Sequence, residues 1–372
     1  MISIAFTGGG TGGHIYPGLA IALWIKKQTP CRIFWIGSNT GMDRDIVEKA
    51  GFEFFGIPSG KLRRYFSLRN ISDIFKVLSG FFAARRVLKK EKPSLLFSKG
   101  GFVSVPPCAA AASLKIPVFT HESDFSPGLA TRLNTRFAEK IFISYNETAA
   151  FFDSGLAAKI CVAGNPIREE FSAADPAKGR AFLGLTGGER ILLVLGGSLG
   201  SGEINTLVKA CLGELTKYYT VVHQTGGSLT DTQASGGEAK EIAPGYKPYA
   251  YFMEELPHVI AAAELVLCRS GAGTIWECKS LKKPMVLLPL RGSGTRGDQV
   301  ENARLFEKKG AAICFMPSAE ENSTAELLRL VASLAEDPQR RKVMGEAEIT
   351  DASAAENSGS FIAEKIIERV KE

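Results

Sequence analysis

Gly8-Gly9-Gly10-Thr11-Gly12-Gly13-His14 follows the apolar run Ile2–Thr7 and leads into Pro17-Gly18-Leu19-Ala20-Ile21-Ala22-Leu23. An apolar strand that feeds through glycines into a helix is the opening unit of a doubly wound α/β sheet. Backbone in such a loop can approach a bulky anion closely, and the following helix offers unpaired N–H groups and a positive dipole end. The loop ends on His14, a titratable imidazole placed where a phosphorylated ligand would sit. That points to chemistry as well as binding.

The pattern of strand, loop and helix then repeats. Apolar runs predict strands at Ile2–Thr7, Arg32–Ile36, Glu53–Ile57, Leu95–Ser98, Pro117–Thr120, Lys140–Ser144 and Ile160–Ala163, with helices between them. Near-continuous apolar strands alternating with helices predict a parallel sheet covered on both faces. After Gly164-Asn165-Pro166 a polar stretch runs to Arg190. The scheme then restarts with Ile191–Leu195, the turn Gly196-Gly197-Ser198-Leu199-Gly200-Ser201 and a helix from Glu203. Further strands are expected at Thr220–Gln224, Pro248–Phe252, Leu265–Cys268, Met285–Pro289 and Ala312–Phe315. A chain of 372 residues is long for one core. The expectation is two doubly wound α/β domains, 1–164 and 165–349, with the final helix of 350–372 assigned to the first. Ligands of such sheets bind beyond the carboxyl ends of the strands.

Composition is that of an ordinary soluble chain, 45% hydrophobic and 23% charged, and a net charge of +6 is too small to argue for nucleic acid. It suits anionic ligands or an anionic membrane surface. Seven dispersed cysteines with no C-x-x-C pair read as buried thiols in a reducing compartment. No apolar run reaches the ~18 residues of a membrane span, and residue 2 opens a strand without a charged leader, so a cytoplasmic protein is expected.

Gly8, Gly10 and Gly13 satisfy G-x-G-x-x-G. The second strand, however, ends Ile36-Gly37-Ser38-Asn39 without the carboxylate that a dinucleotide ribose needs. No Lys-Ser/Thr follows the glycines, which excludes a Walker A loop. His121-Glu122-Ser123-Asp124 closes a predicted strand, the right place for a site, and is not the H-E-x-x-H of a zinc protease. Its plainer use is Asp124 or Ser126 capping the next helix. Cys268-Arg269-Ser270-Gly271-Ala272-Gly273-Thr274-Ile275-Trp276-Glu277 is a third strand–glycine–helix turn. Its helix N-terminus can take a diphosphate and Glu277 a ribose diol, unless Glu277 simply faces solvent. The polar loop Arg291–Asn302, with Asp298 and Gln299, suits sugar hydroxyls.

Two further stretches carry charge. Asp43-Arg44-Asp45 formally matches a D-x-D metal pair but reads as surface charge complementing a helix dipole. Ile71, Phe75, Leu78 and Phe82 recur at helical spacing after the basic segment Lys61–Arg69, and Phe81 and Phe82 adjoin Arg85, Arg86, Lys89 and Lys90. That helix is either a core helix with a solvated basic face or an interfacial patch of aromatics and cations.

The motifs occur in order: Gly-Gly-Gly-Thr-Gly-Gly-His-Ile-Tyr-Pro-Gly-Leu-Ala (8–20), His-Glu-Ser-Asp (121–124), Gly-Asn-Pro-Ile-Arg (164–168), Gly-Gly-Ser-Leu-Gly-Ser (196–201), Arg-Ser-Gly-Ala-Gly-Thr (269–274) and Gly-Asp-Gln-Val-Glu-Asn-Ala (297–303). Together they make the chain resemble the MurG family of peptidoglycan N-acetylglucosaminyltransferases, which convert lipid I to lipid II. The resemblance runs nearly end to end. It implies a GT-B fold, two Rossmann-like domains facing a cleft. The donor UDP-GlcNAc would bind mainly to the C-terminal domain, and the acceptor to the N-terminal domain near the membrane. Carried over position by position, Thr11, Gly12 and Gly13 lie at the donor's phosphate and sugar. Asp124, Arg168, Ser198, Met253, Ala272, Gly273, Thr274, Ile275, Trp276, Glu277 and Gln299 complete the donor pocket, with Glu277 on the ribose. His14, His121 and Glu122 face the acceptor. Many members have Gln-Asn where this chain has Ser123-Asp124, and Gln-Gln where it has Asp298-Gln299, so both departures add negative charge near the sugar.

The chemistry the resemblance implies is an inverting, metal-independent hexosyl transfer. The MurNAc C4 hydroxyl attacks the anomeric carbon of GlcNAc as UDP departs, giving a β-1,4 bond. No cofactor or metal is expected, UDP-GlcNAc being a co-substrate. His14 is the leading general base, with Glu122 and Asp124 as competitors. Expected partners are UDP-GlcNAc, lipid I, the anionic lipids of the cytoplasmic face of the cell inner membrane, held peripherally, and other cell-wall synthesis proteins. No nucleic acid is expected. A UDP-GlcNAc 2-epimerase and a non-catalytic sugar-nucleotide sensor are the alternative readings of the same architecture.

Overall fold

The computed structural model describes residues 2–60, 69–197, 200–227, 243–292, 295–317, 322–350 and 358–372. The chain divides into two compact units, Met1–Arg168 with Thr350–Glu372, and Glu169–Ile349. In the first, β1 (Ile2–Thr7), β2 (Cys31–Ser38), β3 (Glu53–Ile57), β4 (Leu95–Ser98), β5 (Val118–Glu122), β6 (Lys140–Ile143) and β7 (Ile160–Val162) form one sheet. Their order is β3-β2-β1-β4-β5-β6-β7, and each neighbouring pair is parallel. Helices α1 (Tyr16–Gln28), α2 (Asp43–Lys49), α3 (Arg69–Glu91), α4 (Val105–Ser113) and α5 (Leu129–Asn134) connect the strands.

Alternation along the strands explains why the runs are apolar throughout. Ile4, Phe6, Trp35, Leu95 and Phe97 enter one buried layer, and Ala5, Phe34, Ile36 and Leu96 enter another. Successive side chains of a strand point to opposite faces, so a sheet covered on both sides needs apolar residues at every position. The second layer is closed by Ala84 and Leu88 of α3 and by Cys108, Ala110 and Ala111 of α4.

The second unit repeats the plan with β8 (Ile191–Leu195), β9 (Thr220–Gln224), β10 (Tyr246–Tyr249), β11 (Leu265–Cys268), β12 (Met285–Leu287) and β13 (Ala312–Cys314). The order is β10-β9-β8-β11-β12-β13, again parallel. Its helices are α6 (Pro176–Phe182), α7 (Gly202–Leu215), α8 (Leu256–Ala262), α9 (Ala272–Ser280), α10 (Asp298–Lys308), α11 (Ser323–Glu336) and α12 (Pro338–Glu346). The expected strand Pro248–Phe252 is displaced to Tyr246–Tyr249, with Pro248 inside it. β10 is an edge strand, where a residue without an N–H is tolerated. The final helix, α13 (Ser358–Lys371), returns to the first unit, where Ile362, Ala363 and Ile366 pack into the layer that holds Ile21 and Ile25 of α1.

Strand order reverses between β1 and β4 in one sheet and between β8 and β11 in the other. At such a switch point the loops leaving adjacent strands diverge to opposite faces and open a crevice. The glycine turns after β1, β8 and β11 all lie at these two points. No described helix is long and apolar enough to cross a membrane.

Candidate active site

At the first switch point, the loop after β1 is held from beneath. A Cβ on Gly9 would stand 1.9 Å from Asp43 Oδ2, and one on Gly10, whose φ is +84°, would stand 2.5 Å from the Phe102 ring. Neither position has room for a side chain. Asp43 is fully buried and accepts the Gly10 N–H at 2.9 Å and the Ser38 N–H at 3.0 Å, while burial pushes its pKa up. This corrects the reading of Asp43 as surface charge: it is a brace tying the glycine loop to the end of β2. Asp45 does lie exposed. The buried Trp35 adds a second tie, donating from Nε1 to Gly8 O at 2.9 Å. The outer side of the loop is open. Thr11 and Gly13 are exposed, and a single 3₁₀ turn, Gly12–His14, carries the chain into α1.

His14 is half-buried and lies against the loop after β4. A Cβ on Gly101 would stand 2.9 Å from His14 Cδ2 and 2.8 Å from Gly9 O, at a φ of +77°. Only glycine lets the imidazole rest there. The loop is pinned through polar side chains: Ser104 Oγ donates to Gly101 O at 2.8 Å, and Asn134 Nδ2 donates to Ser98 Oγ and Ser104 Oγ.

His121 and Glu122 close β5 and are engaged within the fold. His121 is fully buried with Nε2 2.8 Å from Gly164 O, and burial drives its pKa well below the usual histidine value. Its side chain thus ties the end of β5 to the Gly164 turn from within the core. Glu122 is 5% exposed. Its Oε1 accepts the Ser123 and Asp124 N–H groups at 3.0 and 3.1 Å, and its Oε2 accepts the Gly128 N–H at 3.0 Å. Both oxygens of Glu122 thus hold the turn that precedes α5, whereas His14 and Asp124, in the loops after β1 and β5, are half-buried.

The second switch point holds a pocket of about 380 Å³ lined by Gly196, Gly197, Gly200, Ser201, Gly202, Arg269, Gly271, Thr274, Leu290 and Gln299. The first turns of α7, α9 and α10 meet around it. Ser201 caps α7, accepting the Ile204 N–H. Arg269 draws the walls together: it donates to Leu288 O at 3.0 Å, Pro289 O at 3.2 Å and Ser201 Oγ at 2.7 Å, and pairs with Glu203 at 2.8 Å. Gln224 braces the other side, donating to Gly197 O at 3.1 Å and accepting the Phe252 N–H. Gln299 accepts the Leu290 N–H at 2.9 Å and so closes the loop before α10. The chemistry on offer is a ring of glycine backbone and helix N-termini, which suits a diphosphate.

The remaining candidates sort by burial. Gly273, Thr274 and Glu277 are half-buried, whereas Ala272, Ile275 and Trp276 are buried among core side chains. Ile275 and Trp276 therefore hold α9 in place, and Trp276 meets Phe306 edge to face. Met253 is 49% exposed, and its N–H is taken by Glu255 Oε2 at 3.1 Å. Asp298, at the start of α10, pairs with Arg296 at 3.6 Å, which offsets the negative charge that its position adds. In the first unit, the Arg168 guanidinium stacks 5.4 Å over the Tyr16 ring. Ser198 lies outside the described residues. Motif reading passed over Gln224 altogether, and it quoted Asp43 and Arg269 without their supporting roles. Ser201, a serine directly before a helix, is the one whose capping role the sequence signals.

With this geometry in hand, comparison with known proteins is direct. Residues 4–143 match the glycosyltransferase family 28 N-terminal domain, and residues 191–359 match the glycosyltransferase family 28 C-terminal domain. A relative from Treponema denticola, named UDP-N-acetylglucosamine–N-acetylmuramyl-(pentapeptide) pyrophosphoryl-undecaprenol N-acetylglucosamine transferase, is 49% identical over 84% of this chain and 83% of its own length. The chain belongs to the MurG family of glycosyltransferases. A family member of the same name from Shouchella clausii is 41% identical over 100% of both chains. Among solved structures, MurG of Acinetobacter baumannii has a TM-score of 0.72 at 22% identity, covering 99% of this chain and 100% of that one. A UDP-GlcNAc 2-epimerase from Neisseria meningitidis, bound to UDP-GlcNAc, reaches 0.67 at 14% identity with coverage of 99% and 100%. These two likenesses establish the shared GT-B fold.

Proposed function

We infer that the protein is a hexosyltransferase that moves GlcNAc from UDP-GlcNAc to the C4 hydroxyl of MurNAc in lipid I, forming lipid II for peptidoglycan. The observation that carries this is identity of 41–49% over most of the chain with transferases so named. The epimerase reading has fold likeness alone behind it. In our reading the donor diphosphate occupies the pocket of the second unit, with Glu277 on the ribose and Gln299 toward the sugar. Backbone N–H groups and the N-termini of α7 and α9 meet the charge that grows on departing UDP, a preorganised dipole arrangement that acts without a metal. The acceptor lies on the first unit, where His14 removes the proton of the attacking hydroxyl. Inversion follows from attack opposite the leaving group.

The test is to incubate labelled UDP-GlcNAc with and without a lipid I analogue. Label appearing in lipid only when the acceptor is present is the expected result. ManNAc formation without acceptor would replace this reading by the epimerase, and tight binding without turnover would replace it by the sensor.

Membrane attachment rests on α3. Its stripe Ile74, Phe75, Leu78 and Phe82 is exposed, 67% for Phe75 and 66% for Phe82, while Gly80, Ala84 and Leu88 turn inward. Lys76, Arg86, Lys89 and Lys90 share the exposed side. The periodic apolar positions are thus not the core face of this helix. Phe81 packs inward against the second apolar layer. The basic run Lys61–Leu68 lies outside the described residues, as does the Ile71 side chain. We propose that the stripe dips into the anionic cytoplasmic leaflet of the inner membrane, close to lipid I. Serine at both Phe75 and Phe82 is expected to weaken sedimentation with anionic vesicles at least ~10-fold, given ~1.5–3 kcal/mol per buried aromatic, at unchanged stability. Undiminished binding would remove α3 from the account.

A further inference from the structure

Lys99 follows the last residue of β4 and turns its side chain into the first unit, where it is 1% exposed. The glycine loop lies directly over it: a Cβ on Gly8 would stand 3.1 Å from Lys99 Cβ. Its Nζ donates to Ser123 Oγ at 2.5 Å, and Ser123 donates in turn to Asn165 Oδ1 at 2.6 Å. A buried ammonium is costly unless charge and hydrogen bonds answer it. Here one hydroxyl is its acceptor among the described residues, and the answering charge comes from Glu122 and Asp124. Those carboxylates act against burial, which brings Lys99 down to about 8. Of these two carboxylates, Glu122 also holds three backbone N–H groups, and Asp124 is the candidate base whose turn Ser123 shares.

The same turn also supports the other candidate base. Lys99 is followed by Gly100 and Gly101, against which His14 lies. One short segment therefore backs the imidazole with its glycines and reaches the Ser123-Asp124 turn with its lysine. We propose that Lys99 is a positioning residue for glycosyl transfer: from beneath the glycine loop it fixes the Ser123-Asp124 turn through the serine relay and sets the charge state of the general base. The proposal rests on the reading of the protein as a GlcNAc transferase. The titratable groups that interact with Lys99 are His121, Glu122 and Asp124, from β5 and its loop, while His14 lies against the two glycines that follow it. A cation among them favours the deprotonated form of either base, imidazole or carboxylate.

Lys99→Met keeps the side chain's length and removes its charge. Steady-state kinetics across neutral pH, with melting temperature measured alongside, test the idea. We expect kcat to fall ~10-fold or more through misplacement of the base, with KM for UDP-GlcNAc within about twofold. The acidic limb of kcat/KM for the lipid I analogue moves up by about half to one pH unit, since loss of a cation raises the proton affinity of either base. Ser123→Ala keeps the charge and breaks the relay, so kcat falls by about threefold or more while the limb stays. A Lys99→Met enzyme with wild-type kcat and limb overturns the proposal. So does one that merely melts earlier with the limb unmoved. If Lys99→Met does not fold, Ser123→Ala decides: reduced kcat at the wild-type melting temperature supports the relay, and wild-type kcat overturns it. A wild-type protein that transfers nothing to lipid I would overturn the underlying reading, and the proposal with it. That result is distinct from an active wild type with indifferent variants.

Discussion

Replacing His14 by alanine is expected to slow turnover on a lipid I analogue by ~100-fold or more, the usual contribution of a positioned general base. The donor is proposed to bind the other unit, so KM for UDP-GlcNAc should change little. The acidic limb of the pH–rate profile should flatten, because the group that titrates there is gone. A companion substitution separates the imidazole's chemistry from its placement. Gly101→Ala leaves His14 in the chain but puts a methyl 2.9 Å from its Cδ2 and 2.8 Å from Gly9 O, at a φ that alanine resists. The ring must move, and displacement by about 1 Å costs up to ~100-fold in rate. Both variants should therefore lose kcat, with the titration retained only in Gly101→Ala. A His14→Ala enzyme of near-normal rate would transfer the role to a carboxylate, with Asp124 the first to test.

The second large effect concerns Arg269. Its guanidinium joins the carbonyls of Leu288 and Pro289, at the end of β12, to Ser201 and Glu203 at the start of α7. Methionine there removes every one of these contacts and leaves Glu203 with Arg291, 3.3 Å away, as its remaining ion-pair partner among the described residues. Hydrogen bonds to charged groups contribute ~1.5–3 kcal/mol each when made, and carbonyls left buried without a donor add to the loss. We expect Arg269→Met to reduce stability by ~2–4 kcal/mol. KM for UDP-GlcNAc should rise at least ~10-fold, because the amides of two glycine turns no longer converge on one diphosphate. Lysine should restore little, since an ammonium cannot span the planar fork's four contacts. Wild-type KM in Arg269→Met, read by titration of initial rates against UDP-GlcNAc, would show that the pocket needs no such clamp.

Much of the architecture was readable in the chain because its signals are local. Ile191–Leu195 is apolar at every position as only a doubly covered strand is, and glycines punctuate the ends of β1, β8 and β11. What stayed hidden depends on partners remote in sequence. Asp43 reads as helix-start charge because its partners are the backbone amides of Gly10 and Ser38, which carry no side-chain signature. Glu122 reads as a candidate base for the same reason. The spacing of Phe75, Leu78 and Phe82 shows that they share a face of α3 but not which way that face points. The side turned inward is Gly80, Ala84 and Leu88, and two of these three are small residues that a search for large apolar ones passes over. Lys99 belongs to none of the motifs, and its burial shows only once the Gly8 loop is placed beside it.

The central claim is transfer with inversion to one hydroxyl, and the structure of the product tests it most directly. Unlabelled UDP-GlcNAc and a lipid I analogue are incubated with the wild-type protein, and the disaccharide's linkage is read by NMR. The account predicts a β-configured GlcNAc on O4 of MurNAc. An α-linkage, attachment at another oxygen, or nucleotide sugar converted with no lipid product would contradict it.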